Sequence, residues 1–203
     1  MTMDDTQLEP DSPAQPKTNA LFWKTDSDNG IEVSYEPYYW SEESLSHVAQ
    51  TLAKLLDHID REFNLGGIFV GLLLCGDDRS RELNNQFRGK DMATDVLSFS
   101  QLDDDLFGGD SLAMIDQPSR HFFGEIAIAC ETLKVQADEL GIDINDHLAH
   151  LFVHGVMHLL GYDHENDQEA SEMESLEVAF LAKVSIANPY MIAQRAVHHG
   201  VMS

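Results

Sequence analysis

The sequence predicts an α+β fold: a small mixed sheet of about four strands packed with helices. Three observations predict it. Segments of strand length, Ile31–Tyr35, Ile68–Cys75, Val96–Ser100 and Phe123–Ala129, are either alternating or continuously apolar. Stretches with apolar residues at helical spacing lie between them and dominate after Cys130. The turn residues Gly66-Gly67, Gly76, Gly141 and Gly161 fall between these segments, where chain reversals are needed.

Each element follows from its residues. Met1 to Gly30 has no apolar period and carries many turn-forming and acidic residues, so it reads as a mobile leader. Ile31-Glu32-Val33-Ser34-Tyr35 alternates apolar and polar, as a half-buried strand does. Ser41 with Ser44, and Glu42 and Glu43 in the first turn, starts a helix whose Leu45, Val48, Leu52, Leu55, Leu56 and Ile59 make one stripe. Asn64 and the two glycines stop it.

Ile68–Cys75 is apolar throughout, which suits a central strand buried on both faces. Gly76-Asp77-Asp78 supplies a turn and cap for a short helix, Arg79 to Phe87, with Leu83 and Phe87 inward. A polar loop from Arg88 to Asp95 then leads into the Val96–Ser100 strand, and Gln101 to Arg120 reads as a long surface loop. Phe123–Ala129 is followed by a helix from Cys130 to Leu140 that Gly141 ends. Asn145 or Asp146 caps the next helix, and Asn166 with Glu169 caps the last, which runs to about Val184. In that last helix Met173, Leu176, Phe180 and Val184 stand at core spacing. The domain therefore spans 31–190, with a frayed tail at 191–203.

Composition excludes several classes. At 203 residues the chain suits one domain, and no apolar run reaches the length of a membrane span. The acidic, Pro- and Asp-rich start is unlike a signal peptide. Two cysteines, Cys75 and Cys130, sit in apolar settings and read as buried free thiols, which implies a cytoplasmic protein. A net charge of −24 argues against a general polyanion binder, although Arg79, Arg81, Arg88 and Lys90 cluster in one window.

The chemistry lies in His154-Gly155-Val156-Met157-His158-Leu159-Leu160-Gly161-Tyr162-Asp163-His164. Histidines four apart on a helix lie about 40° apart around the axis and about 6 Å along it, so both reach one ion. His150 shares their face but sits about 12 Å up the axis from His158, too far to join them. Gly161 reverses the chain so that His164 returns as the third ligand. Three nitrogen ligands leave a fourth tetrahedral position for water, the pattern of a catalytic zinc, and one zinc per chain is expected. His147 and His150 stay outside the set.

The spacing matches the metzincin peptidase site at every ligand and at the glycine, but Gly155 stands where those enzymes carry their general-base glutamate. A metal is expected; proteolysis is not. An open zinc lowers the pKa of bound water to about 7, so hydrolysis is the default reaction. If the bond is a phosphodiester, an arginine fork answers the charge on the phosphoryl oxygens, and Arg88 is the best-placed candidate, with Lys90 on a neighbouring phosphate.

Leu83 to Asp91, Thr94 to Phe99, Gly124-Glu125-Ile126 and the histidine segment together resemble the YbeY family of bacterial metal-dependent endoribonucleases. The resemblance runs from about Ile31 to Tyr190. It implies His154, His158 and His164 as zinc ligands and Arg88 as the catalytic arginine. It also implies cleavage of single-stranded RNA, maturation of the 3′ end of small-subunit ribosomal RNA, and ribosome quality control. Against the family pattern stand a longer acidic leader, the acidic 101–120 segment and the high negative charge. A metal-bound assembly factor that docks on the small ribosomal subunit or its proteins is the alternative.

Overall fold

In the computed structural model, which describes residues 18–101 and 121–192, the elements follow in the order β1 (Asn19–Lys24), β2 (Gly30–Tyr35), α1 (Glu42–Phe63), β3 (Ile68–Cys75), α2 (Asp77–Arg88), β4 (Val96–Ser100), β5 (His121–Ala129), α3 (Cys130–Leu140), α4 (Ile144–Leu159) and α5 (Asp167–Lys183). The strands form one mixed sheet in the order β1-β2-β3-β5-β4. β2, β3 and β5 run parallel, and each edge strand is antiparallel to its neighbour. The α+β class is as expected, but the sheet has five strands rather than four. The added strand, β1, lies inside the stretch read as a leader. It escapes a periodicity reading because Phe22, on its outward side, is as apolar as Leu21 and Trp23, which pack against the core.

Alternation sorts the strands onto two unlike faces. Ile68, Val70, Leu72 and Leu74 of β3 are buried, whereas Phe69, Gly71 and Leu73 are only half-buried. The expectation of a strand buried on both faces is therefore corrected: helices cover one face fully and the other in part. On the covered face the stripe of α1, from Leu45 to Ile59, joins β2, β3, β5 and the apolar side of α4 in the main core. Each fully buried aliphatic side chain contributes on the order of 1.5–3 kcal/mol, so packing rather than helix propensity holds α1 and α4. On the other face α2 covers only part of the sheet, where Leu83 meets Leu97 and Ala127.

The caps locate the helices. Ser41 and Ser44, expected at the start of α1, form a capping box there, and Asn64 ends the helix in the left-handed conformation. α2 starts two residues earlier than expected, after Gly76, and Phe87 is exposed rather than inward. α4 is capped by Asp143, whose side chain accepts from the Asn145 amide at 2.8 Å, and not by Asn145 or Asp146. Asn166 caps α5 as expected. Of the long loop read at 101–120 only Gln101 is among the described residues, and of the tail only 191–192. No helix among the described residues is long and apolar enough to cross a membrane.

Candidate metal centre

α4 lies with its side against β4 and β5, and one residue sets how close it comes. At Gly155 an added Cβ would stand 2.8 Å from Cγ2 and 2.9 Å from Cδ1 of Ile126 on β5. The position that holds the glutamate in metzincins therefore points into the sheet, away from any substrate. With Gly155 inward, His154 and His158 flank the outer edge of the helix, both half-buried.

The helix ends as its sequence requires. Gly161 has φ 85°, its amide donates to the His158 carbonyl at 3.0 Å, and the Tyr162 amide donates to the Met157 carbonyl at 3.0 Å. This pair of bonds reverses the chain and satisfies two terminal carbonyls. His164 returns beside the helix, with its ring centroid 5.5 Å from that of His154 and 5.1 Å from that of His158. One nitrogen from each of the three rings lies within 4.8 Å of the others.

Hydrogen bonds decide which nitrogens face inward. Glu177 of α5, with no exposed surface, accepts from His154 Nδ1 at 2.9 Å, and the Tyr162 carbonyl accepts from His158 Nδ1 at 2.9 Å. Both rings thus carry their proton on Nδ1 and present the Nε2 lone pair. Those two Nε2 atoms are 3.1 Å apart. Lone pairs aimed at one another repel unless a cation lies between them, and nitrogens about 2.0–2.1 Å from a tetrahedral ion would be about 3.3 Å apart. The donor set fits a divalent metal on that ground. Burial holds His158 below the ordinary histidine range, and a second proton on His154 would lower it further, so its ring stays neutral and able to ligate.

Glu177 gathers more than one partner. Its other oxygen accepts from His150 Nε2 at 3.1 Å and from the Tyr190 hydroxyl. Burial alone would raise this carboxyl, but the bonds from His150 and His154 outweigh it and hold the group down at about 2. It is an anion at neutral pH. His147 turns elsewhere, its Nε2 bonding Gln136 at 2.9 Å. His147 and His150 are not part of the triad.

The three histidines share a cavity of about 400 Å³ with Arg88, Thr94, Asp95, Ser98, His150 and Tyr190. Arg88 is the last residue of α2 and lines this space. It is exposed and has no ion-pair partner among the described residues. Lys90, two residues on, is exposed but is not among the residues lining the cavity.

The family model described as Endoribonuclease YbeY matches residues 38–185. The chain belongs to the YbeY family. Among curated relatives, the endoribonuclease YbeY of Francisella tularensis subsp. holarctica is 39% identical over 140 residues, which cover 69% of this chain and 82% of its own. That of Rhodopseudomonas palustris is 38% identical over 161 residues, covering 78% and 80%. The solution structure of TM1509 from Thermotoga maritima superposes with a TM-score of 0.50 at 27% identity, over 76% of this chain and 88% of that one. YbeY relatives are named endoribonucleases, hydrolases of RNA phosphodiester bonds, and membership makes this chain an enzyme of that class.

Sequence reasoning missed Glu177 and Tyr190. A signal existed for the first: Glu177 stands four residues after Met173 and three before Phe180, on the stripe that α5 buries. An acid on a buried stripe needs a partner.

Proposed function

We propose that this chain is a zinc-dependent, single-strand-specific endoribonuclease that matures the 3′ end of small-subunit ribosomal RNA and serves ribosome quality control. The observation that carries this reading is the sharing of one cavity by the histidine triad and Arg88 in a YbeY-family chain. One zinc per chain would be held by His154, His158 and His164, supplying a Lewis acid and an activated water for hydrolysis.

The chain's own residues do the rest. Arg88 offers a planar guanidinium that no carboxylate among the described residues ties up, so its fork is available to the phosphoryl oxygens as their charge grows. Lys90, two residues beyond the end of α2, holds an adjacent phosphate as a point charge. Ser98 and Tyr190 line the same cavity. Gly155 offers no base, which sets the peptidase reading aside.

A second reading has its own support. The net charge of −24 and the pairing of Arg79 with Glu82 and Arg81 with Asp91 leave little cationic surface for naked RNA. An acidic body suits docking on the small ribosomal subunit or its basic proteins, in the cytoplasm, with the cavity addressing RNA already held there. In its extreme form the protein is an assembly factor with little nuclease activity of its own. Turnover of a single-stranded RNA by the zinc-loaded protein separates the two, with His158→Ala as control. Cleavage by the parent alone establishes the enzyme; none by either leaves the assembly factor.

A further inference from the structure

The buried carboxylate on α5 is not a metal ligand in the family pattern, and neither the triad nor Arg88 accounts for it. Its two oxygens divide the work. Oε1 takes the His154 Nδ1 proton at 2.9 Å, and Oε2 takes His150 Nε2 at 3.1 Å and the Tyr190 hydroxyl. Glu177 has no exposed surface, so its position is fixed by these three donors and by the packing of α5 on α4.

We infer that Glu177 is the positioning residue of the metal centre: through Oε1 it fixes the tautomer and orientation of the His154 ring, and so sets the affinity of the triad for its ion. The inference rests on the metal reading given above. A carboxylate accepts only, so the nitrogen facing it must carry the proton and Nε2 must be left with its lone pair. Carboxylate partners of this kind also raise the basicity of a ligating imidazole. His158 is oriented by a weaker partner, the neutral carbonyl of Tyr162, at the same distance of 2.9 Å. The His164 ring has no hydrogen-bond partner among the described residues. The three ligands are thus graded, and His154 is the one held by a charge.

Tyr190 and His150 explain why the carboxylate does not turn away. Both bond Oε2, the His150 and Tyr190 rings meet edge to face at 5.5 Å, and Oε1 is left to His154. Glu177→Gln keeps the volume and can still bond both histidines, but its amide no longer forces the proton onto Nδ1 of His154. If the NH₂ group faces that ring, the proton moves to Nε2 and the ligand is lost.

The test is a zinc titration of the full chain against a chromophoric chelator, together with the ring-nitrogen spectrum of the ¹⁵N-histidine-labelled, metal-free protein. Glu177→Gln is expected to bind zinc about 10- to 100-fold more weakly than the parent, with His154 shifted away from the Nδ1–H form. Tyr190→Phe removes one of the two bonds to Oε2 while His150 still holds that oxygen and the carboxylate itself remains, so it should stay within about threefold of the parent. Equal weakening in both variants would reduce Glu177 to a packing role and overturn the inference. Should Glu177→Gln not fold, the parent's spectrum still decides, because an Nε2–H tautomer at His154 contradicts the geometry. A parent that takes up no zinc overturns the metal reading itself. A parent that binds zinc alongside an unaffected Glu177→Gln overturns only this inference.

Discussion

One helix carries two pairs of histidines that differ in which nitrogen is anchored. In the second half of α4, His154 and His158 are anchored through Nδ1, and their Nε2 atoms face one another at 3.1 Å. In the first half, His147 and His150 are anchored through Nε2, to Gln136 and Glu177, and each leaves a buried Nδ1 without a partner among the described residues. The spacing 147, 150, 154, 158 would let a reader choose several pairs by helical geometry alone. The anchors choose for the helix, because a ring whose distal nitrogen is already committed has no long-reaching lone pair for an ion.

Removal of a ligand, set against removal of a histidine from the first half of α4, is the largest effect to look for. His164→Ala should lose most of the bound zinc by elemental analysis, since two ligands on a helix hold an ion far less well than three. His147→Ala should keep a full equivalent. Full retention of zinc by His164→Ala would sink the triad, and loss of zinc by His147→Ala would break the distinction between the two halves of the helix.

Arg88→Ala comes next. It should leave zinc content and the melting temperature near those of the parent while cleavage of single-stranded RNA falls about ten- to a thousand-fold, the scale of one lost charge-stabilising donor. A sharp drop in melting temperature would assign Arg88 to the fold instead. The geometry favours the first outcome, since Arg88 is exposed at the end of α2 and lines the cavity.

The histidine segment was legible in the sequence because every requirement there is local: helical spacing for two ligands and a glycine turn for the third. What could not be read depends on partners distant in sequence. Asp143 caps α4 in place of Asn145 or Asp146, a choice composition cannot make because neighbouring Asp and Asn residues cap equally well on paper. β1 was hidden because Phe22 is apolar on an outward position, and only pairing with β2 shows which side faces the core. Glu177 lies 23 residues from His154, so no local pattern joins them.

A smaller effect comes from acid. His147 titrates at about 4 in the folded protein, held below its usual 6.5 first by burial and then by the His150 charge. Between those values the unfolded chain binds a proton that the folded chain does not, so stability falls as pH drops through that window. Each full unit is worth about 1.4 kcal/mol, and the unfolded group is already half protonated at pH 6.5, so the metal-free protein should lose about 1.6 kcal/mol between pH 6.5 and 5, measured by urea unfolding. Glu177 works in the opposite range: its depressed pKa gives stability that is complete above about 4.5 and lost toward about 2, so it does not enter this interval. His147→Gln should flatten the slope, leaving the smaller parts due to His158 and to His58 of α1, which burial also depresses. An unchanged slope would place the acid sensitivity in His158 and His58 instead.

The smallest effect tests the cationic side of the cavity. Four cations cluster between Arg79 and Lys90, and counted by sequence all four are available to phosphates. The fold removes two of them: Arg79 pairs with Glu82 at 2.9 Å, and Arg81 holds Asp91 with two bonds at 2.6 and 2.9 Å. Arg88 and Lys90 are left without ion-pair partners among the described residues. For single-stranded RNA each neutralised phosphate adds about −0.7 to the log–log salt slope, so two contacts predict about −1.4, roughly a sevenfold loss of affinity between 50 and 200 mM salt. Filter binding or fluorescence anisotropy over that range measures it, with His158→Ala used so that the RNA survives. Asp91→Ala should release Arg81 and steepen the slope by about 0.7, which ties the low value to this ion pair and not to the overall charge. A parent slope of about −3 or steeper would mean that scattered cations assemble a binding surface, and that the acidic body needs no basic partner to meet its RNA.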